Sequence, residues 1–268
     1  MQFETLLFER REAVARVVLN RPDKINAFNR PLVDDLLAAA AAIRADTGIR
    51  AVLLGAEGRG FCAGADVVQG GLLDESASVG AGAGVGAALR TRLNPMIEAW
   101  YHLPVPVVVA VQGVAAGAGV SLALTGDIVL AGRSATFMQL FAAKLGLIPD
   151  LGGTYFLPRL VGTARAKGLA LLGDALSAAD AAAWGLIWAC VEDAQLQDTA
   201  IAMAQRLAAG PTLAYAQIKR MFNEAPAASL TEQLELEAQV QARLGDSGDF
   251  AEGVRAFRDK RAPRFSGR

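Results

Sequence analysis

The chain has 268 residues, 53% apolar and 20% charged, with a formal net charge of −1. That length buries a sizeable core, as one large domain or a domain with an appendage, and the balanced charge excludes disorder and a basic nucleic-acid footprint, so an anionic ligand must be met by local groups. No run of about 18 uninterrupted apolar residues is present, and acids flank the short apolar run of the opening MQFETLLFERRE, so neither a membrane span nor a signal peptide is expected and the expected location is the cytoplasm.

Residues 5–10 and 13–20 carry apolar residues around the polar pair Arg11-Glu12, which predicts a hairpin. RPDKINAFN (21–29) reads as a loop carrying Arg21 and Lys24. Residues 31–45 open on Pro31 and place Leu32, Leu36, Leu37 and Ala40 on one face, a helix; residues 51–55 follow as an apolar strand. This order argues for an α/β domain with crossover connections. GRGFCAGAD (58–66) comes next: glycines and small side chains let a backbone approach a ligand, and free N–H groups suit an anion or a developing oxyanion. An ordinary strand-to-helix turn is the alternative. Residues 69–88, rich in Gly, Ala and Ser, are expected to be a mobile segment serving as a lid. The glycine run at 80–86 lacks a preceding apolar strand and is no dinucleotide loop.

Residues 89–103 predict an amphipathic helix, ended by Pro104 and Pro106, and 107–111 a fully buried strand. GVAAGAGVSLALTG (113–126) is a second small-residue turn opening an apolar helix. Two such turns are what a pair of oxyanion donors requires. Residues 127–131 read as a strand headed by a structural Asp127. KLGLIPDLGGT (144–154) then places Asp150 between an apolar run and a glycine turn; between Pro104 and Gly173 the acids are Asp127 and Asp150 alone. Taken by itself Asp150 reads as a helix N-cap. Helices are expected at 162–172, 177–184 (Ser177 as N-cap), 195–209, 212–222, 230–244 and 248–260, with a strand at 185–191. The expected division is a core domain, 1–200, and a C-terminal helical subdomain, 201–268. Cys62 and Cys190 have no metal or redox spacing and read as buried residues; His102, the single histidine, reads as structural, so no metal site is expected.

Together LNRPDKINAFN, GRGFCAGADV, VQGVAAGAGVSLALTGDIVLA, LGLIPDLGGTYFLPRLVG, WGLIWACV and EGVRAFRDKRAPRF resemble the crotonase, or enoyl-CoA hydratase/isomerase, superfamily over essentially the whole chain. The resemblance implies a spiral of ββα units with two nearly perpendicular sheets and a helical C-terminal trimerisation region, hence a trimer or dimer of trimers. It also implies an acyl-CoA thioester substrate, with no cofactor beyond the CoA that the substrate carries. Two backbone N–H groups would hold the thioester enolate, at Ala65 and at Ala118, the latter where many members have glycine. Lys24, Asn26, Ala27, Ala63, Gly64, Asp66, Val67 and Gly117 are implied around the CoA ester, and Lys260, from a neighbouring subunit, near its phosphates.

Hydratases of the family use two glutamates, and the matching positions here are Ser121 and Ala142. Without them hydration has no evident base. What remains is Asp150, where some isomerases and a dehalogenase of the family carry a functional aspartate. GLIPDLGGT, WGLIW and AAGAGVSLAL are most similar to the branch that converts ring-1,2-epoxyphenylacetyl-CoA to oxepin-CoA in phenylacetate catabolism and shifts double bonds of unsaturated acyl-CoA. The expected activity is therefore isomerisation with Asp150 as a single acid/base. A β-oxidation hydratase and a non-catalytic acyl-CoA-binding paralogue are the alternatives.

Overall fold

The structure is a computed structural model that describes residues 2–66, 81–225 and 228–268. A six-stranded sheet has the spatial order β1 (Leu6–Arg11), β2 (Val14–Leu19), β3 (Ala51–Ala56), β4 (Val107–Val111), β6 (Ile128–Gly132), β9 (Ala189–Val191). A three-stranded sheet is formed by β5 (Val114–Ala116), β7 (Thr136–Met138) and β8 (Leu176–Ser177). β1 and β2 make the expected antiparallel hairpin, Leu6 opposite Leu19, and the remaining pairs of the larger sheet are parallel.

The unbroken apolar runs of β3 and β4 are explained by cover on both faces. Side chains alternate along a strand, so Val52, Leu54, Val107, Val109 and Val111 join the main core, while Leu53, Val108 and Ala110 join a second cluster on the other face. The second cluster is closed by α7 (Leu196–Ala208), whose Ala200 and Ala204 let the helix lie close on the sheet. The main core is closed by α1 (Arg30–Ala45) and α3 (Asn94–Tyr101). Asn29 starts α1 by accepting the Leu32 N–H at 3.0 Å, and the buried Trp100 indole of α3 donates to the Leu36 carbonyl, also at 3.0 Å.

Several elements differ from expectation for local reasons. The expected helix at 89–103 consists of a π-helical turn, Leu89–Leu93, and α3. The expected mobile segment lies outside the described residues up to Gly80; from Ala81 the chain is helical, α2 (Ala81–Ala88). Within the second glycine turn, β5 precedes a short helix, α4 (Ala118–Ala123). α5 (Gly153–Leu172) begins earlier than the expected helix at 162 and bends at Gly162, whose φ of 76° is outside the helical range. α6 (Ala178–Ala183) is capped by Ser177 as expected. The strand expected at 185–191 is confined to β9, because Gly185 turns at φ 81° and sends Leu186 and Ile187 into the core. Cys190 is half-buried rather than buried.

The division expected at residue 200 falls inside α7. The helical unit beyond the sheet is α8 (Thr212–Glu224), α9 (Leu230–Gly245) and α10 (Gly248–Arg258). Arg50, just before β3, ties this unit back by donating to Thr212 Oγ1 at 3.0 Å and to the Phe265 carbonyl at 3.1 Å. Among the described residues no helix is long and apolar enough to cross a membrane.

Lys219 of α8 makes a buried polar link to the sheet. Its side chain is 8% exposed, and its ammonium donates to the Val105 carbonyl at 2.9 Å and pairs with Asp127 at 2.7 Å. Asp127 also accepts the Val107 N–H, the structural role expected of it. Burial pulls the Lys219 pKa below its usual value, against the pull of Asp127. Removing the acid leaves a buried cation without its counter-charge, so Asp127→Ala is expected to cost about 3 kcal/mol of stability. Lys219→Met costs less, since Asp127 is 27% exposed and keeps its amide partner. Urea unfolding of both variants checks the asymmetry.

Candidate functional site

Three segments distant in sequence are laced into one backbone cradle. Cys62 N–H donates to Val114 O at 3.1 Å and Ala116 N–H to Cys62 O at 2.9 Å, so the first glycine turn runs beside β5 like a further strand. On the other side of β5, Gly117 N–H donates to Met138 O of β7 at 2.8 Å. The 21–29 loop joins through Ala63 N–H to Ile25 O, Phe28 N–H to Gly64 O and Asp66 N–H to Phe28 O, at 2.9, 2.7 and 2.9 Å. Asn26 fixes that loop: buried at φ 52°, it donates to Glu57 O and Gly60 O and accepts the Arg21 N–H.

Two glycines let the turns come this close. A Cβ at Gly64 would stand 2.8 Å from Ala116 O and 3.6 Å from Ala118 N, and one at Gly119 would stand 2.4 Å from Cys62 O. After these bonds are made, the N–H groups of Ala65 and Ala118 have no acceptor among the described residues. Ala65 is exposed, whereas Ala118 is 1% exposed at the start of α4. Cys62, beneath the cradle, is fully buried, and desolvation pushes its thiol up to about 12, so it is no nucleophile.

The sequence-predicted residues Lys24, Asn26, Ala27, Ala63, Gly64, Ala65, Asp66, Gly117 and Ala118 therefore lie in segments bonded to one another. Lys24 is exposed at the end of a 3-10 turn, and Ala27 is buried. Val67 lies outside the described residues. Lys260 is exposed just past α10, and among the described residues no hydrogen bond or ion pair joins it to the cradle. Arg21, noted in the sequence only as part of its loop, pairs with Asp66 at 3.8 Å and donates to the Ala27 carbonyl. Among the described residues no three His, Cys, Asp or Glu side chains cluster as metal ligands would.

Asp150 stands against α4. The Ser121 hydroxyl, one turn along α4 from Ala118, donates to the Asp150 main-chain carbonyl at 3.0 Å. Ser121 is fully buried, and Ala142 lies in a π-helical turn at Phe141–Leu145. The expected capping role of Asp150 is not found. The N-cap of α5 is Gly152, which has no side-chain cap, and Asp150 Oδ1 is buried with no hydrogen-bond partner. Of its apolar neighbours in sequence, Leu151 is buried, but Leu145, Leu147 and Ile148 are exposed. Burial nevertheless raises the carboxyl from 3.8 to about 6, its own backbone amide acting in the opposite direction.

That shift has a stability consequence with a definite sign. Between roughly pH 4 and pH 6 the folded chain holds a proton that the unfolded chain has released, so stability falls as pH rises through this window. Asp150→Asn is expected to stabilise the protein by about 1–2 kcal/mol above pH 6, after allowance for solvent screening, and to be near neutral below pH 4. Urea unfolding at pH 7.5 and pH 4 checks this.

The comparisons with known proteins agree with this backbone. The family model described as Enoyl-CoA hydratase/isomerase matches residues 9–268. A 1,2-epoxyphenylacetyl-CoA isomerase of Escherichia coli (strain K12) is 46% identical over 266 residues, covering 99% of each chain. A probable enoyl-CoA hydratase of Rhodobacter capsulatus is 42% identical over 268 residues, covering 100% of each. A solved enoyl-CoA hydratase of Bacillus anthracis superposes with a TM-score of 0.90 at 30% identity, over 99% of this chain and 100% of that one. With two sheets, a helical C-terminal unit and this cradle, the chain is an enzyme of the enoyl-CoA hydratase/isomerase family, with the crotonase fold.

Proposed function

We propose that the protein isomerises an acyl-CoA thioester, moving a double bond or assisting the opening of a ring epoxide such as that of 1,2-epoxyphenylacetyl-CoA. One observation carries this reading: Asp150, a half-buried carboxyl whose Oδ1 has no partner, stands against the helix that presents the free Ala118 amide; the positions that the family resemblance matches to the two hydratase glutamates hold Ser121 and Ala142. In the proposed step Asp150 takes the proton from the carbon next to the thioester carbonyl of a 3-enoyl substrate. The negative charge moves onto the thioester oxygen, held by the N–H groups of Ala65 and Ala118, each worth about 10²–10³ in rate. Asp150 then returns the proton to the far carbon of the shifted system, giving the conjugated 2-enoyl thioester. No separate cofactor enters the step. The identity to the Escherichia coli epoxyphenylacetyl-CoA isomerase supports the ring substrate and a place in phenylacetate catabolism.

Residues 24–27 and 63–66 would contact the CoA moiety, and Lys260 its phosphates from a neighbouring copy. Exposed Leu213, Phe250, Val254 and Phe257 on the C-terminal helices support self-association, as a trimer or dimer of trimers. Hydration is the second reading, favoured by the 42% identity to the Rhodobacter capsulatus protein. Crotonyl-CoA separates the two, since hydration removes the enoyl absorbance.

Asp150→Asn is expected to lower kcat by about 10²–10⁴ while leaving CoA-ester binding within about threefold, read by calorimetric titration beside turnover. Retained turnover sinks the assignment. The base must be ionised, so wild-type kcat on 3-hexenoyl-CoA is expected to rise with pH and level off above about 6.

A further inference from the structure

We propose that Ser121 is a positioning residue for this reaction, its hydroxyl latching the strained turn that holds the Asp150 carboxyl in its half-buried place. The inference rests on the acid–base reading of Asp150. Directly after Asp150 the backbone is left-handed at two successive residues, Leu151 at φ 50° and Gly152 at φ 84°. Glycine takes that conformation freely, but leucine does not. Something must therefore hold the turn, and two donors converge on the Asp150 carbonyl oxygen: the Gly153 N–H at 2.8 Å and the Ser121 hydroxyl at 3.0 Å. The first is internal to the turn. The second comes from another element and, among the described residues, is the one side-chain bond to it.

A serine inside a helix commonly turns its hydroxyl back to its own preceding carbonyl. Ser121 instead spends its single O–H across the gap between α4 and the turn. α4 also begins with Ala118, so one short rigid piece places both a proposed oxyanion donor and the backbone of the proposed base. Gly153 allows this approach: a Cβ there would stand 2.9 Å from Pro149 Cβ and 3.4 Å from Ser121 Oγ. The residue that fills a hydratase glutamate position thus takes on a new task, holding the acid that replaces it.

The test uses Ser121→Ala, Ser121→Cys and Asp150→Asn in the full chain, with 3-hexenoyl-CoA, following conjugated 2-enoyl absorbance across pH 5–9 below each variant's unfolding midpoint. Cysteine is close to serine in shape but is a weak donor, which separates the hydrogen bond from simple packing. Both Ser121 variants are expected to lower kcat about tenfold with KM within about twofold. The acid limb of their kcat profile is expected to move below that of the wild type, because a relaxed turn lets the carboxyl reach water. Wild-type kcat in Ser121→Cys, or a loss equal at every pH with an unmoved acid limb, overturns the latch. An Asp150→Asn variant that keeps the wild-type rate overturns the acid–base reading and the latch with it. An inactive Asp150→Asn beside an unaltered Ser121→Cys overturns the latch alone.

Discussion

The site depends on one steric constraint, the contact of two glycine turns through bare backbone. Gly64 lies against the Ala116 carbonyl and Gly119 against that of Cys62, with no room for a side chain at either. Everything nearby is backbone hydrogen bonding, which is specific in direction and leaves few alternatives. Cys62, Ala116, Gly117 and Gly64 satisfy one another or β7 and the 21–29 loop, and the amides of Ala65 and Ala118 are among those left without an acceptor in the described residues. A buried N–H without an acceptor is costly, so the Ala118 amide, 1% exposed, carries that cost, and under the function proposed above a substrate oxygen would relieve it. Donors fixed in advance need no reorganisation when charge develops.

Asp150 presents the opposite arrangement, an acceptor without a donor. Its buried Oδ1 makes no bond, and the chain around it adopts a left-handed turn at a leucine. Neither feature favours the folded state. They concentrate at the residue for which we propose the acid–base role, as strained and unsatisfied groups commonly do at active sites. The stability they cost is supplied elsewhere, by a sheet covered on both faces and by links such as Trp100 to Leu36 and Lys219 to Asp127.

Much of this was legible in the sequence because apolar runs and glycines carry direct physical meaning. β3, β4, α1 and the C-terminal helices follow from periodicity, and the two small-residue turns from their glycines. The smaller sheet was not legible: β5 and β7 have three residues and β8 two, too short for alternation to show. Asp150 stood out by its isolation among apolar residues, but its capping role was misread, because the positive φ of Leu151 and Gly152 starts the helix two residues later than the Asp suggests. The Ser121 bond spans 29 residues, and a serine in an apolar run gives no sign of what it will meet.

The order of the larger sheet bears on how the chain assembles. Its strands stand side by side in the same order as they occur along the chain, β1, β2, β3, β4, β6 and β9, so no strand has to be inserted between two that are already paired. During synthesis each new strand can add to the edge left by the one before. The cradle segments lie between β2 and β7, well before the C-terminal helices are made. A nascent chain could therefore close its ligand-facing backbone while α8–α10 are still to come, leaving the apolar sides of those helices as the last surfaces to find a partner.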